Sequence, residues 1–191
     1  MCPPIFVGDI ELNEAHSRVG MIVGACARLE GAIAYLEWQL KAFSWDAENP
    51  AASPADRQTA LLSERVRWNK YARLNKRLKL VTEAFAANPV SSRISQDQRL
   101  QEMHRQWACL CDRARHLAEK RNEIGHTYLG WRNNMVTREI SRPWNDQVPV
   151  SEAEDEALMS KIGALAVEIG RYSTELGKLL PFADQDQINT I

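Results

Sequence analysis

The sequence predicts an all-α fold, an antiparallel four-helix bundle with a short β-hairpin and loop inserted between the third and fourth helices. Three observations predict it. Apolar residues recur at alternating steps of three and four along four long stretches, the period of one helix face. Only 9 Gly and 8 Pro occur in 191 residues, too few for a turn-dense all-β chain. The connections between most stretches are short and carry helix stop and start signals, which suits antiparallel neighbours packed knobs into holes. With 45% hydrophobic and 26% charged residues the chain can bury a core, and its length suits one domain over residues 1–191.

Each element follows from its seam. Val19, Ile22, Cys26, Leu29, Ile33, Leu36, Leu40 and Phe43 line one face of a first helix over about 11–45, which the run from Asn49 to Pro54 ends. Ser53, Pro54 at the first helical position and Asp56 three residues after the serine start a second helix over about 54–87. Tyr71, Leu74, Leu78, Val81 and Phe85 mark its seam, and Asn88-Pro89 stops it. Ser95 with Gln98 reads as a capping box opening a third helix over about 95–129. Its seam runs Leu100, Met103, Trp107, Leu110, Ala114, Leu117, Arg121, Ile124 and Tyr128, so a guanidinium stands where a Leu is expected. Residues 130–150 change pattern. Trp131-Arg132 and Met135 to Ile140 read as a hairpin turning at Asn133-Asn134, with a loop from Ser141 to Pro149. Ser151 and Glu154 cap a fourth helix over about 151–180, with Leu158, Ile162, Leu165, Ile169, Tyr172, Leu176 and Leu179 on its seam. The insertion before it is longer than a bundle requires, and such connections are more often functional than structural.

Composition excludes several classes. A net charge of -1 argues against coating duplex DNA by charge alone. The start of the chain lacks a basic run followed by an apolar core, and the apolar stretch Val19 to Ala27 meets Arg28 and Glu30 too soon to span a bilayer. Cys2, Cys26, Cys109 and Cys111 give neither a disulfide framework nor a zinc pattern, which points to reduced thiols and the cytoplasm. His104 and His116 flank Cys109 and Cys111, but residues two apart on a helix diverge, so no metal or other cofactor is expected and both thiols are expected to pack. His16 reads as a surface residue.

The chemistry falls at Arg121-Asn122-Glu123-Ile124-Gly125-His126. On an ideal helix Asn122 and His126 lie about 40° apart, whereas Arg121 and His126 differ by about 140°. The long stem and planar fork of arginine can close that gap. Gly125 removes a side chain beside His126, allowing a phosphate or backbone to approach. Histidine can take and return a proton near neutral pH, and a guanidinium stabilises charge growing on phosphate oxygens. No carboxylate cluster accompanies them, so no metal is implied. Phosphodiester cleavage without metal is most accessible when a neighbouring 2′-hydroxyl attacks, which means RNA. An Arg and His at this spacing also occur at Arg99 and His104, but adding Asn directly after the Arg lowers the chance expectation to about 0.02 per chain.

Arg121-Asn122-x(3)-His126 resembles the R-[polar]-x(3–5)-H motif of the HEPN superfamily (higher eukaryotes and prokaryotes nucleotide-binding domain), which also lies late in a bundle helix. The specific match covers about ten residues. The resemblance implies a metal-independent endoribonuclease acting on single-stranded RNA, of the kind found in toxin–antitoxin and defence systems. It implies a homodimer with two motifs lining one cleft, His126 as acid and base, Arg121 on the scissile phosphate, and Asn122 orienting either. Tyr128 extends the pattern to R-x(4)-H-x-Y, which in one branch implies a nucleotidyltransferase antitoxin that modifies the tyrosine. The chain is longer than the typical toxin of that branch, and the insertion at 131–149 is outside its minimal pattern.

Plainer readings stand beside these. Arg121 is also readable as a structural seam residue paired with Glu30 or Glu37, and a functional Arg121 would still be positioned by Glu30. Tyr128 is also readable as the last core aromatic of its helix. The second helix carries Arg57, Arg65, Arg67, Lys70, Arg73, Lys76, Arg77 and Lys79 against three acids, while the chain from Ser151 onward carries eight acids against three cations. A solvated face is the default reading of such a helix. With Trp68 and Tyr71 interleaved, Arg65, Arg67, Lys70 and Arg73 also suit a track for single-stranded RNA. The alternative to an enzyme is a non-catalytic helical bundle binding a nucleotide, RNA or protein partner; a plain oligomerisation module is a third reading.

Overall fold

The computed structural model describes residues 7–71, 74–125, 128–132, 135–139 and 147–180. The chain is mostly helical, with helices α1 (Val7–Glu48), α2 (Pro54–Tyr71), α3 (Leu74–Ala86), α4 (Val90–Gln96), α5 (Gln98–Gly125) and α6 (Glu152–Leu179), and strands β1 (Tyr128–Arg132), β2 (Met135–Glu139) and β3 (Gln147–Pro149). It divides into two compact units, one of residues 1–28 and 114–164, the other of residues 29–113 and 165–191. Helices α1, α5 and α6 contribute to both units.

In the first unit, Ala15, Ile22, Ala25 and Cys26 of α1 are buried, as are Ala114, Leu117 and Ala118 of α5 and Leu158 and Ile162 of α6. β1 and β2 pair antiparallel from Tyr128↔Glu139 to Arg132↔Met135, and β3 pairs antiparallel with β2 from Thr137↔Pro149 to Glu139↔Gln147. The sequence predicts a loop over 141–149. Residues 147–149 instead extend the sheet, and Pro149 is tolerated because it ends a strand at the sheet's edge.

In the second unit, Leu29, Ile33, Leu36 and Leu40 of α1 are buried, with Leu78, Val81 and Phe85 of α3 and Leu165, Ile169 and Leu176 of α6. Its aromatic centre is Trp107, whose ring centroid lies 6.1 Å from Phe85 and 6.3 Å from Tyr172. Both polar atoms are satisfied: Trp107 Nε1 donates to Thr82 Oγ1 at 3.1 Å, and Tyr172 OH donates to the Met103 carbonyl at 2.9 Å. Ser173 Oγ donates to Gln39 Oε1, a buried polar contact between α6 and α1.

The caps show where the sequence signals succeed and where they mislead. Ser53 Oγ accepts from the Asp56 amide at 3.2 Å and donates to the Asp56 carboxylate at 2.7 Å. Ser151 Oγ accepts from the Glu154 amide at 3.3 Å. Ser95 caps nothing. It belongs to α4, donating back to the Ser92 carbonyl at 2.7 Å, and α5 is opened by Asp97, whose Oδ1 accepts from the amides of Arg99 at 2.7 Å and Leu100 at 3.3 Å. An aspartate two residues on is the better acceptor for orphan amides and takes the N-cap. The expected third helix over 95–129 is accordingly α5 over 98–125, and the separate α4 was missed. The expected second helix over 54–87 is described as α2 and α3, with 72–73 outside the described residues.

By length and composition α1 would pass as a membrane-crossing helix, at mean hydropathy 1.5, but the core helix of a soluble protein passes the same test. Its apolar seam is occupied, since Ile22, Leu29, Ile33, Leu36 and Leu40 are buried against the protein's own helices.

Candidate functional site

The C-terminal turn of α5 places two of the three residues singled out for chemistry. Arg121 is half-buried rather than in the core, and Asn122 is exposed. The fully buried part of the seam therefore ends at Leu117 and Ala118, and Arg121 and Ile124 beyond it are half-buried. Arg121 Nη1 donates to Asn122 Oδ1 at 2.9 Å, which fixes the guanidinium. Its Nε is buried with no hydrogen-bond partner among the described residues. A buried donor of this kind is costly unless something else meets it. Lys120 Nζ lies 3.3 Å from Glu123 Oε2 on the same turn. His126 lies outside the described residues.

Tyr128 is not the last aromatic of the helix. It opens β1 opposite Glu139, because α5 ends at Gly125, and its side chain is not among those described. Glu30 is half-buried in α1 and, like Glu37, belongs to the other unit. There Glu37 is buried with Lys41 Nζ 2.8 Å from its Oε1, so its charge is met by its own helix. Arg73 lies outside the described residues. Arg65, Arg67 and Lys70 are placed along α2 by backbone alone. The expected packing of both thiols holds for one: Cys111 is buried and Cys109 exposed, on divergent sides of α5. Among the described residues no group of three or more His, Cys, Asp or Glu could hold a metal ion. The His104 ring lies tilted against Phe85 at a centroid distance of 5.4 Å, and His16 is exposed, hydrogen-bonded to the Leu12 carbonyl at 2.8 Å.

The sequence reading missed a charged cleft in the first unit, of about 280 Å³, between α1 and α6. Glu14, Ser17, Arg18, Met21 and Ile22 line it from α1, and Glu152, Asp155, Glu156 and Met159 from α6. Arg18 Nη1 lies 3.8 Å from Glu152 Oε1, and its Nε lies 3.8 Å from Asp155 Oδ2. A usable signal existed. Stepping back three residues from Leu158 along the α6 seam lands on Asp155, an acid in a core register, just as Arg121 was noticed on α5. Four carboxylates against one guanidinium give this cleft an acidic field.

In comparison with known proteins, no family model, no curated protein and no solved structure matches the chain.

Proposed function

We propose that this chain is a metal-independent endoribonuclease of HEPN type, acting on single-stranded RNA in the cytoplasm as a toxin or defence component. The observation that carries the reading is the Arg121–Asn122 pair. A guanidinium on the final turn of α5 donates a 2.9 Å hydrogen bond to the neighbouring amide oxygen, five residues before a histidine. In this reading the helices form an antiparallel four-helix bundle with the strands as an insertion, and two copies bring two motifs to one cleft.

The reaction needs no bound ion. His126 accepts the proton of the ribose 2′-hydroxyl as its oxygen attacks phosphorus; the bond from phosphorus to the 5′-oxygen breaks, and a proton is returned to that oxygen. The products are a 2′,3′-cyclic phosphate and a 5′-hydroxyl. Arg121 meets the charge that grows on the non-bridging oxygens, and Asn122 holds Arg121. The cations of α2, with Arg65, Arg67, Lys70 and Arg73 in its sequence and just beyond, attract the strand. A nucleotidyltransferase antitoxin acting on Tyr128 is the partner this reading implies.

The test is cleavage of an unstructured RNA in the presence of EDTA by the full chain. Wild type cuts and leaves a cyclic phosphate end, whereas His126→Ala and Arg121→Ala, folded by circular dichroism, do not. Equal cutting by either variant overturns the reading. Binding of RNA without cutting would favour the non-catalytic bundle.

A further inference from the structure

We propose that Arg28, Gly31 and Tyr35 of α1 hold one nucleotide of a single-stranded RNA, its base stacked on the Tyr35 ring over Gly31. Tyr35 and Trp38 already form the start of a stack. Their ring centroids lie 5.8 Å apart, at an interplanar angle of 28°. The pair is anchored to the protein. Trp38 packs against buried Ala42 and Leu61, and the Tyr35 hydroxyl is hydrogen-bonded to the buried side chain of Gln39. Tyr35 is nonetheless 39% exposed. A rigid, partly exposed ring is what a base stacks on, whatever the base.

The space beside that ring is open. Gly31 lies one turn before Tyr35, about 40° from it around an ideal helix and so on the same face. It is exposed, and a methyl group added there would meet nothing within 4 Å, so the Tyr35 ring leaves its backbone uncovered. Arg28 lies one turn earlier again, about 20° from Tyr35. It is exposed and enters no ion pair among the described residues, so its long stem and planar fork are available to a phosphate. Gly31, Tyr35 and Trp38 belong to one unit, and Arg28 is carried by the same unbroken helix. The stacked rings favour a planar guest over an aliphatic side chain, and the unpaired guanidinium favours an anionic one. A nucleotide is both. The choice of RNA rests on the ribonuclease reading, while the residues lie outside its Arg121 motif.

The test is binding of a fluorescein-labelled 2′-O-methyl oligouridylate by the full chain, read by anisotropy. With no 2′-hydroxyl to attack, this strand reports binding apart from cutting. Tyr35→Ala and Gly31→Leu are each expected to weaken binding about tenfold, within the range for losing one base stack. Tyr35→Phe keeps the ring and is expected to retain most of the affinity. Arg28→Ala is expected to weaken binding and to lower the slope of log affinity against log salt by about 0.7, the share of one phosphate on a single strand. Helical content matching wild type by circular dichroism shows that the variants fold. Undiminished binding by Tyr35→Ala or Gly31→Leu, or a loss in Tyr35→Phe as large as in Tyr35→Ala, overturns the inference, and a wild type that cuts RNA then keeps the ribonuclease reading without it. Binding that depends on Tyr35 and Gly31 in a wild type that never cuts supports the inference and overturns the ribonuclease reading. A wild type that binds no RNA overturns both.

Discussion

Arg18 Nε lies 3.8 Å from Asp155 Oδ2, and the Asp155 side chain is only 1% exposed. The two are an ion pair at a separation too long for a direct hydrogen bond. Asp155 sits one turn into α6, where the helix dipole favours an anion, and Arg18 is the nearest cation to it on α1. Removing Arg18 takes a cation from beside a nearly fully buried carboxylate, so Arg18→Met is expected to destabilise by about 3 kcal/mol, at the low end for breaking a buried pair. The double change Arg18→Met with Asp155→Leu is expected to recover most of that loss. Urea unfolding of the three proteins checks it; a single substitution that costs no more than the double would show the pair to be idle.

Tyr172 sets an alkaline limit. Burial pushes its phenol well above the usual range, because the phenolate would have to form inside the second unit's core. The folded protein therefore holds this proton more tightly than the unfolded chain, whose tyrosine titrates at about 10. The resulting stabilisation is fully present below that pH and is lost as pH rises through the folded value. Tyr35, raised in the same direction by burial, adds a smaller slope. Tyr172→Phe is expected to cost about 1 kcal/mol at neutral pH, from the lost bond to the Met103 carbonyl, but to flatten the decline above pH 10. Denaturation midpoints measured from neutral pH upward test this. Parallel wild-type and variant curves would refute it.

The start of α5 is decided by Asp97. Its carboxylate accepts two backbone amides, so Asp97→Ala is expected to cost about 1 kcal/mol. Ser95→Ala, which removes only a hydroxyl bonded within α4, is expected to change stability by less than about 0.5 kcal/mol. Thermal unfolding of the two variants separates them. A larger loss for Ser95→Ala would restore the capping box the sequence suggests.

Periodicity made the long helices legible, since the residues at three-and-four spacing from Ile22 to Leu40 and from Leu158 to Leu176 are those buried. Local capping chemistry was less legible, because Ser95 and Asp97 are both good caps two residues apart, and the advantage of the charged acceptor at a helix start is small. Strand β3 escaped notice because three residues ending in Pro carry almost no alternation to read. For the candidate site, Arg121 and Asn122 were found by an interruption in a seam. Asp155 was not, because the seam was read forward from Leu158. The Arg18 partner was invisible for another reason: its distance from Asp155 in sequence is closed only by folding.

The glycines of α1 and α6 offer a direct gain. A methyl group added at Gly20 or at Gly163 would meet nothing within 4 Å, so neither position is held open by a close neighbour. Both sit inside long helices, where Gly is less favourable than Ala by about 1 kcal/mol. Gly20→Ala and Gly163→Ala are each expected to stabilise by about 0.5–1 kcal/mol, through the reduced freedom of the unfolded chain. Their sites are on different helices and share no contact through the added methyl, so the two effects are expected to add. Chemical denaturation of both single variants and the pair checks the sum. A loss of stability at Gly20 alone would mean that the outer face of α1 is already occupied by another chain.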